Sequence, residues 1–283
     1  MTATLPPIVD GATKLLGIVG DPIARVRSPP LWSALFRYNK INAICVPFHV
    51  HPAGLDALLK GLRGTENLLG LLVTIPHKIA AAGMAHMLTT RAQGVGTANI
   101  LRPLPDGRWE GDTLDGEGFV RALRAHGQTV EGRRALIAGA GGVGSAIAFA
   151  LAGAGAVSLG IADIDPNRAD ALAKRLAILS GVPAQVVSAV AKGFNLIVNA
   201  TPMGMRPGDP MPVDLTDLTA GAIVADVVIS AIPTPFLAEA AARGCFTQAG
   251  SLMTDHQVAA MADFLGLETG DWGPAAIKTV LGE

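Results

Sequence analysis

Short apolar runs and amphipathic stretches alternate along nearly the whole 283-residue chain. The runs LLGIVG near 15, AICVPFHV near 43, LLGLLVTIP near 68, ALIAGAG near 135, SLGIADI near 158, FNLIVNAT near 194 and AIVADVV near 222 have the length and flanking turns of buried strands. Between them PPLWSALFRYN, GLDALLKGLRG and PNRADALAKRLAILSG repeat their apolar positions at helical spacing. Strands that alternate with helices predict an α/β fold with mostly parallel sheets. The polar, turn-rich segment RPLPDGRWEGDTLDGEG from 102 to 118 holds Asp106-Gly107, a hairpin pair, and is expected to separate two sheets.

One stretch breaks the rhythm. Residues 135 to 162 carry no charge and exceed the roughly 20 residues that span a bilayer. Seven glycines fall in that stretch, and each costs about 1 kcal/mol relative to alanine inside a helix. They cluster where a strand would turn into a helix. A strand, turn, helix and second strand, buried by helices on both faces of a parallel sheet, accounts for the pattern better than a membrane span.

Composition narrows the partners. Lys plus Arg number 22 and Asp plus Glu 23, for a formal net charge of -1, so no field gathers nucleic acid or an anionic membrane. A small molecule is the expected partner, and a homodimer is within what the sequence allows. Cys45 and Cys245 match no metal-ligand spacing, which predicts buried thiols, a reducing compartment and no metal site. The first residues show no basic segment followed by an apolar core, and a cytoplasmic protein is expected.

GAGGVG, comprising Gly139, Ala140, Gly141, Gly142, Val143 and Gly144, lies between strand-like RRALIA and helix-like SAIAFALAGAG. Gly139 allows a tight turn, Gly141 and Gly142 allow close backbone approach to a pyrophosphate, and the following helix N-terminus favours its charge. A bare tight turn is the plainer alternative. The next strand, however, ends at Asp163, where a carboxylate would accept from ribose hydroxyls and repel a 2′-phosphate. Ile164 follows, with no arginine beside it, so NAD is expected over NADP. Asp165-Pro166 reads instead as a helix N-cap with proline at the first helical position.

Further motifs carry titratable or polar groups: LLVTIPHK ending in Lys78, GDTLDGEG with Asp115, GTAN with Asn99, NATPMGM from 199 to 205, and GSLMTDHQ from 250 to Gln257. In order and spacing, from about residue 15 to the C-terminus, the chain resembles the shikimate dehydrogenase family. The resemblance implies an α/β substrate domain over residues 1–115, completed by C-terminal helices over 251–283, and a Rossmann-type, doubly wound NAD domain over 116–250. It also implies a shikimate or quinate dehydrogenase activity within aromatic amino acid biosynthesis. Lys78 and Asp115 would handle the proton of a secondary alcohol, Thr74, Asn99 and Gln257 would contact the substrate, Thr201, Pro202 and Met203 would lie near the nicotinamide, and Gly250 would be a further cofactor contact. Read without the resemblance, Lys78 and Asp115 are nearly as well explained by an ordinary ion pair. Oxidising an alcohol with NAD does, however, need a group that takes the hydroxyl proton.

The loop GDPIARVRSPPLW, residues 20 to 32, is stiffened by its prolines and opens into a helix. The family's loop presents two serines to a carboxylate, whereas here Ser28 remains and Val26 replaces the other. Leu72, Leu114 and Ile229 likewise replace polar residues of the family pattern. Arg25 or Arg27 offers a charge-assisted clamp in compensation, if it does not simply face solvent. A cyclic hydroxy acid is thus the expected substrate. A paralogue acting on a less polar hydroxy acid and a non-catalytic NAD-binding regulator are the alternatives. Trp32 is expected in the core, and His256 is the histidine expected to face the cleft.

Overall fold

Why the apolar runs become two sheets is plain from their pairing. The computed structural model describes residues 9–24, 26–270 and 272–281, and the chain divides into one unit of residues 1–112 with 261–283 and a second of residues 113–260.

The first unit contains β1 (Lys14–Gly20), α1 (Ser28–Tyr38), β2 (Ala43–His49), α2 (Leu55–Gly61), β3 (Leu68–Val73), α3 (Lys78–Met84), β4 (Met87–Leu88), α4 (Thr90–Val95), β5 (Ile100–Pro103) and β6 (Trp109–Asp112). They form one sheet in the order β2-β1-β3-β5-β6-β4. β1 pairs in parallel with both β2 and β3, and β5 runs antiparallel to β3 and β6. Leu55, Leu71, Leu101 and Trp109, each at most 1% exposed, share one core, and each such side chain contributes about 1.5–3 kcal/mol by leaving water. Trp32 is buried in α1 and packs with its ring tilted against Phe36.

The hairpin expected at Asp106-Gly107 in the 102–118 segment is present. It occupies the segment's first half, with Arg102 opposite Glu110 and Pro103 opposite Trp109. Gly107 turns it at φ 77°, and Leu104 N donates to Arg108 O. The hairpin therefore belongs to the first sheet, and the division between the units falls after Asp112, inside the segment. Asp112 is fully buried and receives Thr89 Oγ1 and both Nε and Nη2 of Arg91. That anchors the strand end before the chain leaves.

The second unit contains α5 (Asp115–Ala125), β7 (Arg134–Ala138), α6 (Gly142–Gly153), β8 (Ser158–Ala162), α7 (Pro166–Ser180), β9 (Ala184–Val186), β10 (Leu196–Asn199), β11 (Ile223–Asp226), α8 (Pro235–Ala242) and β12 (Phe246–Gln248). Its sheet is parallel throughout, in the order β12-β11-β10-β7-β8-β9. Read from the other edge this is the 3-2-1-4-5-6 order of a doubly wound dinucleotide fold, with the switch point between β7 and β10. Alternate residues of β7 serve two cores. Ala135 and Ile137 pack with Phe119 and Ile147 on one face, and Leu136 and Ala138 with Val213 and Phe236 on the other. The uncharged 135–162 stretch is thus strand, turn, helix and strand, and no described helix is long and apolar enough to cross a membrane.

Two helices follow, α9 (Gly250–Phe264) and α10 (Pro274–Leu281). The division falls within α9, so residues 251–260, expected with the substrate domain, group with the second unit. Asp115 does so too, because it opens α5. The cysteines are half-buried and free of disulfide, and burial pushes the Cys45 thiol up to about 12.

Candidate functional site

In the first unit the predicted residues gather at one edge of the sheet. Ser28 starts α1 immediately after β1 and its loop, with Arg27 at the N-cap. Thr74 follows β3, and its amide donates to Val19 O at 3.0 Å. Asp21 N donates to Ile75 O at 3.0 Å, which ties the loop after β1 to the loop after β3. Lys78, half-buried, opens α3, and its carbonyl accepts from Ala98 N at 2.9 Å. Asn99, 1% exposed, sits just before antiparallel β5, where its carbonyl accepts from Val73 N at 2.8 Å. Because β5 runs opposite to β3, the residue before it meets the last residue of β3. Backbone from three strands therefore meets at the carboxyl end of β1 and β3, where open α/β sheets place ligands. His77 precedes α3 at its N-cap position and is buried, its Nε2 2.7 Å from Val50 O. Arg25 lies outside the described residues. Val26 and Arg27 are half-buried.

In the second unit the glycine loop is shaped for close approach. Gly139 has φ 104°, a conformation open to glycine and strained for other residues. Its amide donates to Ala162 O at 2.7 Å. A Cβ on Gly144 would lie 1.8 Å from Gly139 O, so only glycine lets the first turn of α6 fold against the loop. Gly141 caps α6 with no side-chain bond, and no acidic residue occupies the first turn. The positive end of the helix dipole is thus left for an anion. Asp163, at the end of β8, is fixed by two backbone donors, with Ala140 N on Oδ2 at 2.6 Å and Asp165 N on Oδ1 at 2.9 Å. Ile164 points fully into solvent. Asp165 caps α7 through Asn167 N at 2.9 Å, as its proline neighbour predicts.

Asp115, 4% exposed, receives Gln257 Nε2 at 2.6 Å. These two predicted residues are therefore together, 142 positions apart in sequence, while Lys78 belongs to the other unit. Thr201, Pro202 and Met203 form the loop after β10. Gly250 starts α9, and a Cβ there would lie 2.5 Å from Val227 O.

Two groups escaped the sequence reading. Arg168 Nη2 lies 3.4 Å from where a Cβ on Gly141 would be, which puts a guanidinium beside the glycine loop. Its only signal was a basic residue in the first turn of α7. Asp226 ends β11 fully enclosed by hydrogen-bond donors, and burial raises its carboxyl above the ordinary range against the opposing pull of Val228 N, Thr234 and Asn199. The signal was a carboxylate closing an apolar strand, IVAD.

His256 is half-buried on α9, with Nε2 enclosed and unpartnered. Burial first, then His126 and Arg121, lower its affinity for a proton. The unfolded chain thus binds that proton more readily than the folded one, and the stability present above about pH 6.5 is lost as pH falls toward the depressed folded value. Replacing His256 with asparagine should flatten the fall in melting temperature below that pH. An unchanged slope would show that other groups set it.

Comparison with known proteins points to one family. A family model, the shikimate dehydrogenase substrate binding domain, matches residues 18–101. A shikimate dehydrogenase (NADP(+)) of Rubrobacter xylanophilus is 38% identical over 256 residues, 89% of this chain and 90% of the relative. Among solved structures, the ligand-free 5-ketofructose reductase of Gluconobacter sp. strain CHM43 has a TM-score of 0.87 at 28% identity, covering 95% of this chain and 98% of that one. Shikimate 5-dehydrogenase from Listeria monocytogenes, in complex with shikimate and NAD, has a TM-score of 0.87 at 27% identity, with 98% and 99% covered.

Proposed function

Because the chain belongs to the shikimate dehydrogenase family, we propose that it moves a hydride reversibly between the secondary alcohol of a cyclic hydroxy acid and NAD. The observation that carries this reading is the pairing of the glycine loop with Asp163 at the switch-point edge of a 3-2-1-4-5-6 sheet. The nicotinamide supplies the hydride chemistry. Gly141, Gly142 and the start of α6 hold the pyrophosphate, and Asp163 takes the ribose. Thr201, Pro202, Met203 and Gly250 border the nicotinamide. Ser28, Thr74, Asn99 and Gln257 orient the acid, with Arg27 offered to its carboxylate, and Lys78 with Asp115 handles the hydroxyl proton.

NAD is proposed although the Rubrobacter relative is named for NADP(+). Both oxygens of Asp163 face backbone donors, which holds a negative charge where a 2′-phosphate would come, and the adjacent Ile164 brings no positive one. Arg168 is the opposing feature, since a guanidinium beside the loop suits any phosphate. Wild-type kcat/KM should be at least about tenfold higher with NAD, and Asp163→Ser should narrow or reverse that ratio by removing a carboxylate worth about 1.4 kcal/mol or more of discrimination. A clear NADP preference in the unaltered protein would defeat the assignment.

A second reading concerns the substrate. Val26, Leu114 and Ile229 stand where the family pattern has polar residues, and a site that loses hydrogen-bond partners discriminates strongly against the ligand that needs them. This favours an acid with fewer hydroxyls than shikimate.

A further inference from the structure

Asn199 and Asp226 are register partners at the ends of adjacent parallel strands β10 and β11, fully buried and 2% exposed respectively. Asp226 Oδ1 accepts from Asn199 Nδ2 and from Val228 N, each at 2.9 Å. Its Oδ2 accepts from Thr234 Oγ1 at 2.7 Å. Asn199 turns the same amide nitrogen to Met203 O at 2.9 Å. That leaves its Oδ1 to accept from Thr201 N at 3.0 Å and Thr201 Oγ1 at 2.6 Å. Thr201 Oγ1 in turn accepts from Met203 N at 3.1 Å.

The network is directional. With the Asn199 amide reversed, its oxygen would face a carboxylate and a carbonyl, both acceptors, so Asp226 decides which way the amide points. The amide then decides where Thr201 and Met203 sit. A buried carboxylate is a costly way to end a strand unless donors surround it, and here every donor leads to the loop after β10 or to the segment after β11. Gly250 lies directly against that second segment, with Val227 O 2.5 Å and Val228 O 2.7 Å from its Cβ position. By contrast, the ribose end of the site is held by separate bonds, those of Asp163 to Ala140 and Asp165.

We propose that Asp226 is a positioning residue which, through Asn199, fixes the Thr201–Gly204 loop and so sets the nicotinamide half of the dinucleotide site without touching the adenosine half. This rests on the reading that Thr201, Pro202, Met203 and Gly250 border the nicotinamide.

The test titrates two ligands onto each protein: the reduced dinucleotide that wild type binds better, and the same nucleotide cut back to ADP-ribose or its 2′-phosphate. Asp226→Ala should weaken the dinucleotide at least about tenfold while the truncated ligand changes less than about twofold, since one or two oriented hydrogen bonds are lost at one end only. Asp226→Asn should restore binding. Its oxygen still accepts from Asn199 and Val228, and its nitrogen donates to Thr234 Oγ1. Equal weakening of both ligands in Asp226→Ala would mean general damage to the fold and would overturn the inference, as would an unweakened dinucleotide. Wild type that binds neither ligand would instead bring down the cofactor reading on which the inference stands.

Discussion

Lys78→Met lowers turnover by about 10²- to 10⁴-fold, the usual worth of a positioned proton-transfer group, and leaves affinity for the reduced dinucleotide within about twofold, since an uncharged chain of similar length keeps the packing of the stem. The fold should be indifferent to the change. Lys78 enters the sheet edge through its backbone carbonyl, which accepts from Ala98 N, and α3 has no other basic residue whose loss of balance would matter. Steady-state kinetics beside a nucleotide titration separate the two effects. Unchanged turnover would remove Lys78 from the chemistry. A parallel loss in nucleotide affinity would mean that the variant had disturbed more than a proton.

Gly144→Ala should destabilise the second unit by more than about 3 kcal/mol, at or beyond the upper end for overpacking a core, and abolish measurable nucleotide binding. The reason lies in what the new methyl group meets. Its position is 1.8 Å from Gly139 O, and Gly139 cannot retreat, because its amide is bonded to Ala162 O and its own Cβ position is 2.7 Å from Ala200 O. Backbone must move against backbone. Gly153→Ala, at the other end of the same helix, meets nothing within 4 Å and should gain up to about 1 kcal/mol from helix propensity. Denaturant melts of the pair give the contrast directly. A Gly144→Ala protein with wild-type stability and affinity would show that the loop yields to the new methyl group.

Much of this was readable from residue order, for a physical reason. Strand and helix periodicity are local, so the seven apolar runs from LLGIVG to AIVADVV became β1, β2, β3, β7, β8, β10 and β11 with little displacement. The glycine loop and the Asp165 cap are equally local, since each is a short string that satisfies its own backbone. What escaped was set by contacts between distant positions. Where within 102–118 the first sheet ends depends on Arg102 pairing with Glu110 across a hairpin, and on Asp112 finding Arg91 and Thr89. Nothing in the polarity of the segment announces those partners. Asp226 is the clearest case. Its partner Asn199 is 27 positions away, and the two meet only because β10 and β11 are neighbours in register. Arg168 was likewise invisible, because its closeness to Gly141 follows from α7 packing beside α6, not from spacing along the chain.

The Asp115 assignment shows both sides. Its motif is short and readable, and the partner Gln257 was among the residues expected at the site. That the two share a hydrogen bond within the second unit, at the start of α5 and on α9, could not be inferred from either motif alone. It follows from α5 and α9 packing so closely that a Cβ on Gly118 would lie 2.7 Å from Met253 O.

The absorbance of reduced nicotinamide, followed after mixing the protein with NAD or NADP and a panel of shikimate, quinate and less hydroxylated cyclic acids, puts the reading to its most direct trial. Steady formation of the reduced cofactor with at least one acid, lost in Lys78→Met, is the result expected. Silence with every acid and both cofactors, from a protein that still binds the dinucleotide tightly, would contradict it and leave a nucleotide sensor in place of an enzyme.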